Sequence, residues 1–422
     1  MKKISLLIFL LLLVSCMAKK EENNVTFWNS MGGPLGDALT HIIKEYNELV
    51  NDGPPLIPVN MGSYGTLSQK IMGAVASRRP PVMAQVYESW TSELLDADRI
   101  VPIQRYLYLI PDSVWNDIFP AMRLDNMWDS IYVTLPFNKS VPVYYYNMDL
   151  FEEYGIDHFP RTWDEFRDVA IKLTIDKDDD GKPEIYGTAF VVDVWSFATM
   201  LYQKGGRLIE GDSVMFDSEK GIETLKYWRD LIYKYKCAYL TTGYSHQDDF
   251  ASGKVAMVWG TIVSYAFMKD KIKFRLGVAP VPHDSDSVVI ISGTNVALFK
   301  DVPESLRIRA MNFIRYFLRP DVQAYWSIHT GYLPLRRSVL QHPAMRKYFS
   351  EVPGMERAVR QVEHADFEPR NPVWFTGRRY LSTEGLEPAL RGYVDPEVSL
   401  KRAAKLIRQE IIRRRSIRKR LK

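Results

Sequence analysis

The stretch VTFWNSMGGPLGDALTHIIKEY (25–46) decides the fold class. Val25 to Trp28 reads as a short strand and Asn29-Ser30-Met31-Gly32-Gly33 as a loop. Leu35, Leu39, Ile42, Ile43 and Tyr46 then recur at helical spacing behind Pro34, which a first helical turn tolerates. The same order returns in Ile57-Pro58-Val59-Asn60-Met61, Gly62-Ser63-Tyr64-Gly65 and a helical stripe of Leu67, Ile71, Ala74 and Val75. Repetition of a strand–loop–helix unit predicts an α/β protein with parallel strands.

Farther along, Thr162-Trp163-Asp164-Glu165 is a capping box, in which the hydroxyl and the carboxylate each satisfy an orphaned backbone N–H, so a helix starts there. Others are expected near Asp217-Ser218 and near Pro303, the latter broken by Pro320, and SGTNVALF (292–299) reads as a strand that returns late in the chain. At 422 residues the chain has room for two or three units, yet no internal repeat or low-complexity linker separates them. Two lobes stitched by several crossings fit that pattern, with a hinge between them and crossings expected near 137–142 and 288–295.

The composition excludes several functions. Apolar residues at 46% and charged ones at 25% are ordinary for a globular chain. The formal charge of +4 is unevenly placed: RRRSIRKRLK (413–422) holds seven bases, and Lys2 and Lys3 sit at the other end. Removing these nine from the 55 Lys and Arg leaves 46 against 51 acids, so the body is mildly acidic and no basic face speaks for nucleic acid. His41, His158, His246, His283, His329, His342 and His364 are scattered singly, and HExxH, CxxC, GxSxG and GxxxxGK[ST] are all missing. No metal, cofactor or catalytic group is therefore expected. Asp176, Asp178, Asp180 and Gly181 match four positions of a calcium loop, but Gly187 stands where the bidentate Glu belongs, so a solvated turn is expected.

Lys2 and Lys3 precede the apolar run Ile4 to Val14, which has signal-peptide length and is too short to span a bilayer. Residues 1–15 are thus expected to be a signal peptide. Leu13-Val14-Ser15-Cys16 resembles the lipobox of bacterial lipoproteins, which implies lipidation of Cys16 and a tether over 16–24. The remaining Cys237 is expected to be a buried hydrophobe. Residues 413–422 form a basic tail, expected as the solvated end of a terminal helix begun near Leu400, with anionic lipid headgroups as a sharper alternative.

Aromatic residues make up 13% of the chain. Trp28, Tyr64, Tyr87, Trp90, Trp259, Tyr332 and Trp374 lie near Gly, Ser, Thr or Pro and suit stacking on sugars or polyols, although core packing explains each one taken singly.

Six stretches resemble the extracellular solute-binding proteins of ABC importers, family 1, and within it most the glycerol-3-phosphate-binding branch. They are FWNSMGGPLG (27–36), QVYESWTSELLDADRIVPI (85–103), LPFNKSVPVYYYN (135–147), FASGKVAM (250–257), IISGTNVALF (290–299) and HTGYLPL (329–335). The resemblance implies a two-lobed periplasmic-binding-protein fold of type II that closes on solute. The implied lobes are 25–137 with 288–333 and 138–287 with 334–412. By position in the motifs, the solute is expected to meet Tyr64, Glu88, Ser140, Gly293 and Tyr332. Thr261 stands where the branch has serine, and Arg379, with Arg378 adjacent, stands for its phosphate-pairing arginine. Hydroxyls and backbone N–H groups suit phosphate oxygens, and a carboxylate accepts from polyol hydroxyls. The implied protein is a monomeric receptor, exported and held at a membrane surface by lipid, that delivers a phosphorylated polyol or sugar to permease subunits. The alternatives are an oligosaccharide receptor of the same family, a secreted carbohydrate-active enzyme or a surface adhesin.

Overall fold

The computed structural model describes residues 24–51 and 53–421, without side chains beyond Ser416. The signal-peptide and Cys16 readings, and all of the tether but Asn24, lie outside the described residues. Strand β1 (Val25–Asn29) pairs in parallel with β2 (Leu56–Asn60) and β3 (Met83–Val86). Helix α1 (Gly33–Leu49) follows β1 and buries the stripe Ala38, Leu39, Ile42, Ile43 and Tyr46. Helix α2 (Tyr64–Ala76) follows β2, and Ser63 caps it by accepting from the Thr66 N–H at 3.2 Å. The strand–loop–helix units expected from the sequence are present.

The chain then makes β4 (Leu135–Ser140) and, after the single residue Val141, β5 (Pro142–Asn147). These neighbours enter different sheets. Strand β4 pairs antiparallel with β10 (Val289–Phe299), which also pairs with β3, giving the first sheet the path β11-β10-β3-β1-β2, where β11 is Ala365–Phe367. Strand β5 lies between β8 (Val255–Thr261) and β9 (Leu276–Ala279) in the second sheet. That sheet continues through β6 (Tyr186–Val191) to β7 (Ala238–Thr241), in the order β7-β6-β8-β5-β9. Two mixed sheets, each flanked by helices, make two lobes.

On the second lobe, α5 (Trp163–Lys172) begins at the expected cap: Thr162 Oγ1 accepts from the Glu165 N–H at 3.1 Å, an arrangement worth about 1 kcal/mol. Helices α6 (Val194–Gln203) and α7 (Glu219–Tyr233) support the C-terminal helices α11 (Trp374–Tyr380) and α12 (Pro396–Leu421), which pack against them and each other.

Two of the expected lobe boundaries need correction. All of β4 to Ser140 belongs to the first sheet, so the first crossing is Val141 instead of residue 138. The return falls within the 288–295 window: Val288 O and Ile290 O accept from Gln203 and Trp195 of the second lobe, and pairing with β4 begins at Ser292. Residues 334–412 do not go together to the second lobe. Arg336 bridges to Ile118 and pairs with Asp117 at 2.8 Å, and β11 pairs with β10, both in the first lobe. Residues 353–361 pack on the second lobe ahead of β11, the Val278 N–H donating to Pro353 O at 2.9 Å and Gln361 Nε2 to Pro142 O at 3.1 Å, and beyond β11 the chain crosses again. The Arg370 guanidinium donates to the carbonyls of Leu124 and Met127 in the first lobe, while Asn371 Nδ2 donates to Gly211 O at 2.7 Å in the second.

Candidate functional site

Helix α3 (Glu88–Asp96) starts at the end of β3, so Glu88 sits at a helix N-terminus beside the point where β4 hands over to β5. A carboxylate is favoured there by the exposed N–H groups. Glu88 is nonetheless buried, and so is Lys139, whose side chain is 1% exposed. Lys139 Nζ donates to Glu88 Oε1 at 3.1 Å and to Asp125 Oδ2 at 2.5 Å; Asp125 ends helix α4 (Pro120–Asp125). Asn295 Nδ2, from β10, donates to the same two carboxyl groups at 3.0 and 3.3 Å. Burial first, and the Asp125 carboxylate second, push the Glu88 carboxyl up to about 8. Burial alone lowers the pKa of the Lys139 ammonium, but the Asp125 and Glu88 carboxylates outweigh it and the net direction is upward.

Next to this cluster, Asn138 Oδ1 accepts from Gln85 Nε2 at 3.0 Å and from the Thr294 N–H at 3.2 Å, which leaves its amide to donate to the Tyr64 hydroxyl at 3.1 Å. The Tyr332 hydroxyl bonds to Tyr64 in turn, and its ring stacks on Trp326 at 5.6 Å with a 9° tilt. Tyr64 also meets Tyr87 edge-on at 5.1 Å. Burial raises the pKa of all three tyrosines, so they act as neutral donors. Ser140, 5% exposed, has a buried hydroxyl with no protein partner. An unpaired buried hydroxyl costs free energy unless something supplies a bond.

The second lobe closes over this face. Phe375 of α11 meets Trp90 of α3 edge-on at 5.3 Å, and Arg378, one turn later, lies within electrostatic reach of Glu88 and Tyr87. Its guanidinium pairs with Glu368 at 3.1 Å, and Asp193, which caps α6, acts on it as well. Arg379 edges the same cavity of about 450 Å³, but it is exposed and its guanidinium lies over the Tyr380 ring. The structure therefore brings Arg378, not the expected Arg379, to Glu88. Thr261 ends β8, its N–H donating to Ser264 Oγ at 3.2 Å, and lines a second cavity of about 400 Å³ with the exposed Tyr244 and Phe267. Tyr244 lies close enough to Tyr64 to perturb its hydroxyl electrostatically, so this cavity adjoins the tyrosine face.

Tyr64, Glu88, Ser140 and Tyr332 are thus gathered where the hinge strands leave the first lobe, with Thr261 facing them from the second. Gly293 joins them for a structural reason. It has φ +105°, and a Cβ there would stand 2.0 Å from the Asn138 carbonyl oxygen, so only glycine lets β10 approach β4 this closely. Asp125, Asn138, Lys139, Asn295, Tyr244 and Glu368 were not anticipated. Asn138 and Lys139 fall within LPFNKSVPVYYYN and Asn295 within IISGTNVALF, which were the signals available. Of the aromatics read as stackers, Trp90, Trp259 and Trp374 are buried in packing, whereas Trp28, Tyr64 and Tyr87 keep partial exposure. Asp176, Asp178 and Glu184 of the acidic turn bring carboxylate oxygens within 4.8 Å of one another, Asp176 half-buried and the other two exposed, remote in sequence from the cleft residues.

The model of the bacterial extracellular solute-binding proteins matches residues 41–350. The chain belongs to this family. Its curated relatives include the sn-glycerol-3-phosphate-binding periplasmic protein UgpB of Yersinia pestis, 24% identical over 94% of this chain and 91% of that protein. The UgpB of Pectobacterium atrosepticum is 25% identical over 89% of this chain and 85% of its own length. Among solved structures, UgpB from Mycobacterium tuberculosis in complex with glycerophosphocholine superposes with a TM-score of 0.81 at 21% identity, covering 93% of this chain and 99% of that one. The cyclic α-maltosyl-1,6-maltose-binding protein of Arthrobacter globiformis gives 0.78 at 23% identity, covering 92% and 98%. These superpositions confirm the two-lobed periplasmic-binding-protein fold. Family and relatives are binding proteins, not enzymes, and among the described residues no helix is long and apolar enough to cross a membrane.

Proposed function

We propose that the protein captures a glycerophosphodiester and presents it to the permease of an ABC importer, with glycerol-3-phosphate itself bound more weakly. The observation that carries this reading is the composition of the closed cleft. Hydroxyls of Tyr64, Ser140, Thr261 and Tyr332 surround a charged group in which Arg378 and Lys139 face four acids, Glu88, Asp125, Asp193 and Glu368. A phosphate dianion adds negative charge to a site already acidic, whereas a diester carries a single phosphate charge that an ammonium headgroup cancels. Glu88 accepts from the glycerol hydroxyls and Arg378 donates to the phosphate oxygens. Solute binding favours the closed arrangement, and that population shift is what a permease recognises. An oligosaccharide is the second reading, favoured by the exposed Tyr244 and Phe267 in the cavity at Thr261.

Titration of intrinsic tryptophan fluorescence with glycerophosphocholine, glycerol-3-phosphate, maltose and trehalose tests this. The expected order is glycerophosphocholine tightest, glycerol-3-phosphate weaker and the sugars silent. Arg378→Ala is expected to weaken phosphate binding about tenfold or more, the worth of a charge-assisted bond, while Arg379→Ala stays within about twofold. A response to the sugars alone defeats the phosphate assignment.

The same reading has the protein exported, monomeric and lipid-anchored through Cys16. Mass spectrometry of the mature N-terminus checks it: acylated Cys16 as first residue is expected, and an unmodified cysteine or cleavage elsewhere removes the anchor.

A further inference from the structure

Three charged side chains are buried together at the hinge, and their charges do not cancel. Lys139, Asp125 and Glu88 are 0%, 0% and 8% exposed, so solvent does little to screen them. They come from three elements, β4, α4 and α3, and Asn295 from β10 ties both acids again. One ammonium with two ionised carboxylates leaves an uncompensated negative charge in a dry site, which is far costlier than leaving one carboxyl protonated. Lys139 Nζ and Asn295 Nδ2 each donate to both carboxyl groups, which holds the two acids together so that a single proton can serve the pair. Asp125 Oδ1 and Asn295 Oδ1 are both buried acceptors with no donor, which is what a missing proton on the acid pair looks like.

We propose that Lys139 is the positioning residue that holds the carboxyl of Glu88 toward the cleft, and that the Glu88–Asp125 pair on it keeps one proton, released to solvent when solute hydroxyls bond to Glu88. The release half rests on the reading of Glu88 as a solute ligand. Solute hydroxyls that donate to Glu88 replace the proton's role and favour the ionised form, so uptake and deprotonation are linked. The groups facing Glu88 from its surroundings are accounted for. Asp125 raises and Lys139 lowers the cost of the proton's departure, and Arg378 from the second lobe, itself paired with Glu368, favours ionisation. Tyr64, Tyr87 and Tyr332 stay neutral.

Two measurements on the full chain test the proposal. Without solute, unfolding free energy is followed from pH 5 to pH 9 in the wild type and in Asp125→Asn, which keeps the shape but leaves one carboxyl on the ammonium. The Glu88 carboxyl binds its proton more tightly folded than unfolded. Its contribution is therefore full below the unfolded value near 4.5 and is lost as pH rises through about 8, so wild-type stability falls across that window and the Asp125→Asn variant stays flatter. With solute, affinity for whichever of glycerophosphocholine, glycerol-3-phosphate, maltose and trehalose binds is expected to rise about tenfold from pH 6.5 to pH 9 in the wild type and to be level in Asp125→Asn. Lys139→Met is expected to weaken binding and move the rise to higher pH, a displacement that a purely structural lysine does not produce. Parallel stability curves overturn the shared proton whatever the solute does. Diverging stability curves with a pH-independent affinity overturn its release on binding. Binding of sugars alone, with the pH rise intact, defeats the diester assignment and leaves this proposal standing.

Discussion

The two walls of the cleft are built differently. On the first lobe two adjoining hydrogen-bonded clusters, Glu88–Lys139–Asn295 and Asn138–Tyr64, are supplied by α2, α3, β4 and β10 and are almost entirely buried. On the second lobe Thr261, Tyr244 and Arg378 come from a strand end, a loop and a helix, with no hydrogen bond joining one to another, and Tyr244 is 77% exposed. A wall of such clusters is set before solute arrives, because most of its polar groups already bond one another. A wall of separate side chains is completed by closure, and those side chains lose freedom only then. Under the proposed function, this difference gives recognition of the common solute moiety to the first lobe and adjustment to the remainder to the second.

The comparison is most easily broken at Gly293, which lets β10 and β4 come together under the first wall. In Gly293→Ala the new methyl group runs into the Asn138 carbonyl in a backbone conformation that L residues rarely adopt, so the strands must part. A loss of about 3 kcal/mol of stability is expected from strain and overpacking, read by denaturant unfolding, with solute affinity falling in the same variant because Asn138 no longer orients Tyr64. A loss below about 1 kcal/mol with unchanged affinity shows that the first wall tolerates rearrangement, and the contrast between the walls then fails.

The elements that position the site were readable in the sequence because each carries local chemistry. The β1 and β2 units announce themselves by hydrophobic period, and Thr162 and Glu165 by capping spacing. Site residues were readable only where they fell in motif stretches. Arg378 and Arg379 share a helix and differ in direction by about 100° of rotation, which the sequence around them does not resolve. Lys139 reads as a surface residue, since lysine is almost never buried without partners, and its partners lie 51 and 14 positions away in the chain. The crossing after β11, in EPRN (368–371), has neither a strand nor a helix period, so its role follows only from what Arg370 and Asn371 touch.

The two lobes also meet outside the cleft. Helix α12 packs on the second lobe, and Arg408 and Arg415 bind Asp217 and Asp212 there, but Arg414 reaches Glu93 of α3 in the first lobe at 3.5 Å. Three arginines of the basic tail, Arg413, Arg414 and Arg415, thus pair with acids of the protein itself. The Arg414–Glu93 pair spans the two lobes on the same side as the Trp90–Phe375 contact, so it exists only while they are closed. Both side chains are about a third or more exposed, and a surface pair of this kind contributes from zero to about 1 kcal/mol. Arg414→Ala is therefore expected to change stability by less than about 0.5 kcal/mol and solute affinity by less than about threefold, with the difference vanishing above about 0.5 M salt as screening removes the pair. A tenfold fall in affinity that survives high salt assigns closure to the tail instead of to the cleft, and the second wall then ceases to be the part of the molecule that solute completes.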